Sequence, residues 1–179
     1  MSTPDPRNLI DKYKGQTNQE IIADLDKARI PLEIAIENLA HDFNIGTIIR
    51  NANAFNVSKV HIIGKRKYNR RGAMVTDKYL HLQHWPTTSE FITDSQTRKK
   101  RLIAIENNCP DTKPLQTARF TPNSILIFGS ESDGISEGLL TAAHQIYHIE
   151  QLGSTRSINV GCASAIAMYE YARRNKVIN

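Results

Sequence analysis

Apolar residues occur along this chain in two patterns, short continuous runs and stretches with a spacing of three or four residues. Five short runs predict strands, at residues 32–39, 59–63, 101–105, 124–128 and 145–149. The runs at 101–105 and 124–128 are rich in β-branched residues, which is typical of strands buried on both faces of a parallel sheet. Helical spacing covers residues 17–29, 45–55, 136–144 and 159–174. Because strands and helices alternate, the pattern predicts an α/β fold with a mostly parallel sheet flanked by helices.

Several residues mark where the predicted helices begin and end. Thr17 and Glu20 fit a capping box at the start of the first helix, and Asn44 is a good N-cap for the second. Asn56 stands where the second helix should end, and asparagine tolerates the left-handed conformation found there. Between residues 64 and 100 the periodicity is poor, and helices are predicted near 72–80 and 88–97. We expect one domain over residues 1–179, with a helical extension at 1–30 and a core at 32–174.

Composition excludes several classes of protein. A chain of 179 residues normally folds around a single core, and no apolar run approaches the roughly 18 residues that span a membrane. The first residues lack the layout of a secretory signal, so we expect a cytoplasmic protein. Cys109 and Cys162 form no CxxC motif and are expected to be free thiols. The six histidines give no HExxH motif, and we expect no metal.

Positive charge is concentrated in the middle of the chain. The net charge is +5, but residues 65–101 hold ten Lys or Arg against three acidic residues, a local charge of +7. Such a concentration suits a polyanionic partner such as a nucleic acid, because binding releases condensed counterions. The alternative, that both basic runs are ordinary solvated surface, stays open on the sequence alone.

A glycine-containing segment, residues 128–136, follows a predicted buried strand and precedes a predicted helix. Open α/β sheets bind ligands at such a position. Gly129 and Gly134 have the spacing of a phosphate-binding loop, but Ile135 stands where its lysine is required. The segment also contains no Gly-x-Ser-x-Gly nucleophile motif. Taken alone, the segment is more typical of an ordinary turn from strand to helix than of a ligand site.

Three segments, in this order, resemble the motifs of one enzyme family. They are Asn44-Ile-Gly46 followed by Arg50, the Gly129-Ser-Glu131 loop, and Leu152-Gly-Ser-Thr-Arg-Ser-Ile-Asn-Val160, which leads into a helix rich in small residues. Together they resemble the SpoU or TrmH-like RNA ribose methyltransferases of the SPOUT class. The similarity extends over about residues 32–174.

The resemblance implies a fold, an activity and a site. Members of this family fold as α/β domains with a C-terminal trefoil knot, bind S-adenosyl-L-methionine in the knot, and work as homodimers that methylate a ribose 2′-hydroxyl of structured RNA. The implied catalytic residues are Arg50, Asn44 and Glu131. The implied cofactor contacts, partly through backbone groups, are Gly129, Glu131, Ile149, Leu152, Ser157, Ile158 and Asn159. We expect the first basic run to bind RNA through Lys65, Arg66, Lys67, Arg70 and Arg71.

The chain also departs from the family pattern, and two other functions remain open. Ser132 replaces a glycine of the second motif, and Ile149-Glu-Gln151 replaces a common Ile-Pro-Met. A catalytically silent RNA-binding module of the same fold is one alternative. A nucleotide-dependent α/β enzyme that uses the 129–134 loop is the other, although the lysine and an acidic metal-binding motif are missing. The short domain slightly favours transfer RNA over ribosomal RNA as substrate.

Overall fold

A twisted parallel sheet forms the centre of the molecule in the computed structural model, which describes residues 7–38, 44–130 and 133–178. Within these ranges the sheet has seven strands in the order β3-β2-β1-β6-β4-β7-β5, and every neighbouring pair is parallel. The strands are β1 (Ile30–Asn38), β2 (Val57–Gly64), β3 (Leu82–Trp85), β4 (Arg101–Ile105), β5 (Lys113–Pro114), β6 (Ser124–Phe128) and β7 (Gln145–His148). The helices are α1 (Asn18–Asp26), α2 (Asn44–Ala54), α3 (Thr88–Thr97), α4 (Glu137–Ala142) and α5 (Val160–Arg174). The predicted α/β class with a parallel sheet is confirmed.

Both faces of the sheet are covered, which explains the continuous apolar runs. Leu32, Ile34 and Ile36 of β1 belong to a core that includes side chains of α2 and α5. Ala35, between them, belongs to a second core with side chains of α3 and α4. Because successive residues of a strand point to opposite faces, a strand buried on both faces needs apolar residues at nearly every position.

Most of the predicted elements are confirmed, with one wrong helix and two missed strands. The strands at 101–105 and 124–128 have the predicted bounds, the capping box of Thr17 and Glu20 is present, and Asn56 has a φ of 50°. The helix predicted over 72–80 is wrong: the segment forms two short 3-10 turns, because Met74 and Val75 adopt left-handed φ values of 47° and 69°. The short edge strands β3 and β5 were not predicted.

The segment before β1 packs against the connection between β2 and β3. Tyr13, Ile21 and Tyr79 form a small core of their own. Arg29 extends this contact, because its guanidinium donates to the carbonyl oxygens of Val57 and Tyr79 at 3.2 and 2.9 Å. The division into an extension and a core stays a prediction, and the described part of the extension, residues 7–30, packs against the core.

Charged side chains are buried between the sheet and the end of α3. The Glu33 carboxylate on β1, which is 5% exposed, accepts hydrogen bonds from Arg98 at 3.0 Å and from His61 on β2 at 2.7 Å. The ammonium group of Lys100 lies 2.5 Å from the same carboxylate. Trp85 donates its indole N–H to Nδ1 of His61 at 3.0 Å. Since an indole only donates, His61 must carry its proton on Nε2 and donate it to Glu33.

This network shifts two pKa values. Burial alone would raise the pKa of Glu33, but the hydrogen bonds from His61, Lys100 and Arg98 outweigh it and hold that pKa far below its usual range. Burial lowers the pKa of His61 and outweighs the attraction of Glu33. The folded protein therefore holds a charged carboxylate beside a neutral imidazole.

We predict that acidification destabilises the fold in two steps. The unfolded chain takes up protons near its ordinary pKa values, about 6.5 for His61 and about 4.3 for Glu33, whereas the folded protein resists both. Stability is therefore fully present above these values and declines as the pH falls through each of them. Urea denaturation between about pH 2 and pH 8 measures this dependence.

Glu33→Gln should remove the lower step and reduce the free energy of unfolding at neutral pH by roughly 2–3 kcal/mol, because Arg98 and Lys100 lose their carboxylate. Glu150→Gln, at an exposed carboxylate, is the matched control and should change neither quantity. A Glu33→Gln variant as stable as the wild type at neutral pH would contradict this account of the network.

Candidate functional site

A cleft of about 300 Å³ lies at the carboxyl ends of β4 and β6. In an open parallel sheet this edge is the usual position of a ligand site, and the volume is at the lower end of the range for small-molecule pockets. The cleft is bordered by the ends of these strands, by the loop after β6, and by the segment before α5. Its lining residues are Ile105, Glu106, Asn107, Asn108, Gly129, Ser130, Asp133, Gly134, Ile135, Leu140, Arg156, Ser157, Ile158, Val160 and Ala163.

The loop after β6 is tightly closed at its base. A Cβ atom at Gly129 would lie 2.1 Å from the carbonyl carbon of Gly134, so the backbones meet where only glycine fits. Ser130 and Gly134 exchange backbone hydrogen bonds of 3.0 and 3.1 Å. Gly134 has a φ of 69°, which disfavours any side chain. The glycine-containing motif therefore forms a narrow turn rather than an open phosphate-binding loop.

The structure brings some of the predicted cofactor residues to this cleft and not others. Gly129, Ser157 and Ile158 line it. Leu152 is fully exposed and lies away from the cleft lining, so its prediction as a contact finds no support in this geometry. Glu131, predicted for both the cofactor and catalysis, lies outside the described residues.

Ile149 does not line the cleft, but it is hydrogen-bonded to Asn107, which does. Its N–H donates to the Asn107 side chain and its carbonyl oxygen accepts from the same amide group, both at 3.3 Å. The resemblance implied Ile149 as a cofactor contact, but its backbone N–H already donates within the protein. The carbonyl oxygen keeps a second lone pair for a ligand.

Sequence reasoning missed the polar residues that follow β4. Glu106 and Asn107 line the cleft, as does Arg156 from the third motif. Their signal in the sequence is modest: polar residues directly follow the apolar run at 101–105, where a parallel strand reaches its carboxyl end. That position alone identified neither residue, because which loops meet there depends on the strand order.

The first and third motifs come together through α2 and α5. The side-chain amide of Asn159, the N-cap of α5, donates to the side-chain oxygen of Asn44 at 2.8 Å. Two turns along α2, Asn51 donates to the carbonyl oxygen of Gly161 at 2.8 Å and to the hydroxyl of Ser164 at 2.9 Å. Residues more than a hundred positions apart in sequence are therefore joined beside the cleft.

Arg50 lies on an exposed part of α2. One turn earlier, Gly46 packs so closely that a Cβ atom there would lie 2.7 Å from the backbone nitrogen of Ala73 and 3.0 Å from the carbonyl oxygen of Asn69. Helix α2 therefore packs against the segment after β2 that holds predicted RNA-binding residues. Residues four apart on a helix share a face, so we expect Arg50, the predicted catalytic arginine, to lie toward that basic segment.

The two basic runs do not form one surface. Lys65, Arg66, Lys67, Arg70 and Arg71 are exposed and follow the carboxyl end of β2, on the same edge of the sheet as the cleft. The run at 98–101 instead precedes β4, at the amino edge, where Arg98 and Lys100 pair with Glu33. The two basic runs therefore lie at opposite edges of the sheet, because α3 returns the chain from the carboxyl edge to the amino edge before the second run.

Arg70 differs from its neighbours in the first run. Its guanidinium pairs with the buried carboxylate of Asp77 at 3.1 Å and lies 5.9 Å from the centre of the Tyr68 ring. Part of its charge is thus neutralised within the protein, and the lysines of the run are the freer cations for an anionic partner.

Three further findings concern the cysteines, possible metal ligands and possible membrane spans. Cys109 and Cys162 are free thiols. Among the described residues, no three His, Cys, Asp or Glu side chains converge in a way that could hold a metal ion. In the same ranges, no helix combines the length and apolar character that crossing a membrane requires.

The parallel sheet, the closed glycine turn and the cleft at the carboxyl edge define a ligand-binding α/β domain. A model of the SpoU rRNA Methylase family matches residues 31–169, which is most of the chain. The chain belongs to this family, and the resemblance of its three motifs is confirmed.

Named relatives are about 25% identical to this chain over the aligned residues. The tRNA (guanosine(18)-2′-O)-methyltransferase of Escherichia coli K12 is 25% identical over 150 residues, which cover 81% of this chain and 64% of the relative. The protein of the same name from Thermus thermophilus is 25% identical over 168 residues, covering 91% and 86%. The chain thus spans less than two thirds of the length of the Escherichia coli relative.

Solved structures show the same fold. The A. aeolicus TrmH/SpoU tRNA modifying enzyme superposes with a TM-score of 0.78 at 20% identity, covering 89% of this chain and 83% of its own. The SpoU methyltransferase AviRb from Streptomyces viridochromogenes, in complex with the cofactor AdoMet, gives a TM-score of 0.74 at 22% identity, covering 87% and 65%.

We predict that the α2–α5 contact does not tolerate a side chain at Gly161. Gly161→Ala would place a methyl group 2.7 Å from Cγ2 of Thr47, and relieving this clash should reduce the free energy of unfolding by about 1–3 kcal/mol. Thr47→Ala removes the opposing methyl group, so the double variant should recover part of the loss. Gly153→Ala is the control, because its new methyl group would meet no atom within 4 Å. Urea denaturation measures the free energy of unfolding of each variant. A Gly161→Ala variant as stable as Gly153→Ala would contradict the close packing.

Proposed function

We propose that this protein transfers a methyl group from S-adenosyl-L-methionine to a ribose 2′-hydroxyl of a structured RNA. The observation that carries the proposal is the joining of the first and third family motifs, through Asn44 and Asn159, beside a cleft bordered by the second. Family membership and the names of the relatives support it. Because two of those relatives are named for tRNA, we favour tRNA over ribosomal RNA as the substrate.

The cleft suits the cofactor in its position and in its chemistry. S-adenosyl-L-methionine is a small molecule with an adenosine part, a charged amino-acid part and a sulfonium that supplies an electrophilic methyl group. Gly129, Ser157 and Ile158 would hold it from two sides, with Ala163 of α5 at the cleft lining. Backbone polar groups and a few apolar side chains are the usual composition of such a pocket. We propose that no metal takes part.

Arg50 is the residue that we propose for catalysis. Methyl transfer needs an aligned nucleophile, so positioning and electrostatics should supply most of the rate. A guanidinium stays protonated, and its planar fork can hold an RNA phosphate and at the same time stabilise the developing alkoxide of the hydroxyl. Asn44 would shape this region through its bond to Asn159, and Glu131 would orient Arg50 or Asn44.

We predict that Arg50→Ala removes methyl transfer and leaves cofactor binding nearly intact. Arg50→Lys should keep only a small fraction of the rate, because lysine keeps the charge but loses the fork. Labelled cofactor, total RNA and mass spectrometry of the modified nucleotide measure transfer, and calorimetry measures binding. Full activity of Arg50→Lys would mean that Arg50 contributes only its positive charge and that the planar fork is not needed.

The outcomes also separate the proposed enzyme from a silent module. Full activity of Arg50→Ala would remove Arg50 from the mechanism, and loss of cofactor binding in both variants would place it in the pocket. If the wild-type protein binds RNA but neither binds S-adenosyl-L-methionine nor transfers label, the chain is a catalytically silent RNA-binding module instead.

We predict that the first basic run sets RNA affinity. Reversing Lys65, Arg66 and Lys67 to glutamate should weaken binding regardless of RNA sequence, and the salt dependence should flatten by about one unit for each phosphate that is no longer bound. Lys99→Glu is the control, because it reverses an exposed charge at the opposite edge of the sheet. A salt slope that the triple reversal leaves unchanged would show that these charges are only solvated surface.

We also propose the family's trefoil knot, its homodimer and a cytoplasmic location. The 149–159 segment lies across the cleft from the loop after β6, an arrangement compatible with threading. On α5, Ile166 and Tyr169 are 43% and 52% exposed beside a groove that includes Leu115 and Ile149, and a second copy would cover this apolar surface. A monomer in sedimentation equilibrium would contradict the homodimer, and an experimental structure with an unthreaded chain would contradict the knot. Recovery of the protein in the membrane fraction of broken cells would contradict the cytoplasmic location.

A further inference from the structure

Three loops border the cofactor cleft, and each follows a different strand. One follows β4, one follows β6 and one follows β7, and these strands lie side by side in the order β6-β4-β7. The strands are held in register by their own hydrogen bonds, but these bonds end where the loops begin. The shape of the cleft therefore depends on side chains that connect one loop with the next.

Glu106 connects the loop after β4 with the loop after β6. One oxygen of its carboxylate, Oε1, accepts from the backbone N–H groups of Asn107 and Asn108 at 2.9 and 3.0 Å. The other, Oε2, accepts from the backbone N–H of Ile135 at 3.2 Å. Gly134 passes close by, because a Cβ atom there would lie 2.6 Å from Oε2. One carboxylate thus fixes two walls of the cleft at once.

Asn107 connects the loop after β4 with the loop after β7. Its side chain makes two hydrogen bonds of 3.3 Å to the backbone N–H and carbonyl oxygen of Ile149. These bonds continue the pattern of a parallel ladder one residue beyond the end of β7. The adjacent residues Glu106 and Asn107 therefore join all three loops.

The loop after β6 is also held from its other side. Glu37 of β1, which is 2% exposed, accepts from the backbone N–H of Ser136 at 2.8 Å. Since β6 lies between β1 and β4, consecutive amides of this loop donate to carboxylates from the two flanking strands. Hydrogen bonds to ionised carboxylates are stronger than those between neutral groups, so this loop is firmly positioned.

We propose that Glu106 and Asn107 are positioning residues for cofactor binding. They hold the three loops in the shape that receives S-adenosyl-L-methionine, and so reduce the ordering that binding would otherwise require. The inference rests on the proposed function for the identity of the ligand. This role differs from a direct cofactor contact, because both side chains make their hydrogen bonds to backbone groups of the protein.

The test compares two ligands and two variants. S-adenosyl-L-methionine carries a positive sulfonium, and S-adenosylhomocysteine carries a neutral thioether in its place. Glu106→Gln keeps the size of the side chain but turns an amide NH₂ toward a backbone donor, so at least one of its three bonds is lost. Calorimetry should show that both ligands bind more weakly by a similar factor, about tenfold or more. Glu137→Gln, an exposed carboxylate at the start of α4, is the control and should bind as the wild type does.

A second measurement reports on position without any ligand. Hydrogen exchange of the Ile135 amide should be faster in Glu106→Gln than in the wild type or in the control. The glutamine keeps two of the three bonds when its oxygen faces Asn107 and Asn108, and its NH₂ then leaves the Ile135 N–H without an acceptor. Asn107→Ala should likewise weaken both ligands equally and speed exchange at Ile149. If Glu106→Gln fails to fold, Asn107→Ala still tests the proposal.

The outcomes separate this inference from the proposed function. Unchanged affinities in both variants would overturn the positioning role. Weakened binding of S-adenosyl-L-methionine alone would overturn it too, since it would mean that the carboxylate meets the sulfonium directly. A wild-type protein that binds neither ligand would contradict the proposed function itself, whereas a wild type that binds both with unaffected variants would contradict only this inference.

Discussion

The close packing of α2 against α5 is the contact on which the site depends. These helices lie on the same face of the sheet, and they bring together residues from the two ends of the chain. The contact is tight because Gly161 presents no side chain to Thr47, and it is specific because Asn51 bonds to Gly161 and Ser164. A larger residue at Gly161 would move Asn159 away from Asn44. The hydrogen bond between Asn44 and Asn159 beside the cleft thus depends on the absence of a side chain at Gly161.

Much of the fold could be predicted from the sequence because its physical causes are local. Strands buried on both faces require continuous apolar runs, and β4 and β6 have the bounds that their runs predict. β3 escaped prediction because it is an edge strand with half-buried polar residues, and β5 has only two residues. The 72–80 helix failed for a different reason. Met74 and Val75 adopt a left-handed backbone that interrupts the helix, and the spacing of apolar residues does not record backbone conformation.

The parts of the site that belong to sequence motifs could be predicted. The parts that depend on which strands are neighbours in the sheet could not. Gly129, Ser157 and Ile158 came from motifs and line the cleft. Glu106 and Asn107 act on loops that become neighbours only because β4 lies between β6 and β7. The direction in which the chain crosses the sheet separated the two basic runs. In a parallel sheet, a helix that connects two strands returns the chain to the opposite edge, so charges on either side of α3 cannot share a surface.

The edges of the sheet restrict how copies of this protein can meet. A long exposed edge strand offers a row of free backbone groups to another chain and favours aggregation. Here one edge is β5, whose two residues are Lys113 and Pro114, and proline has no N–H to give to a ladder. The other edge, β3, is only four residues long and is followed directly by Pro86. Continuation of the sheet from one molecule into the next is therefore disfavoured at both edges, which leaves side-chain surfaces such as that of α5 for ordered self-association.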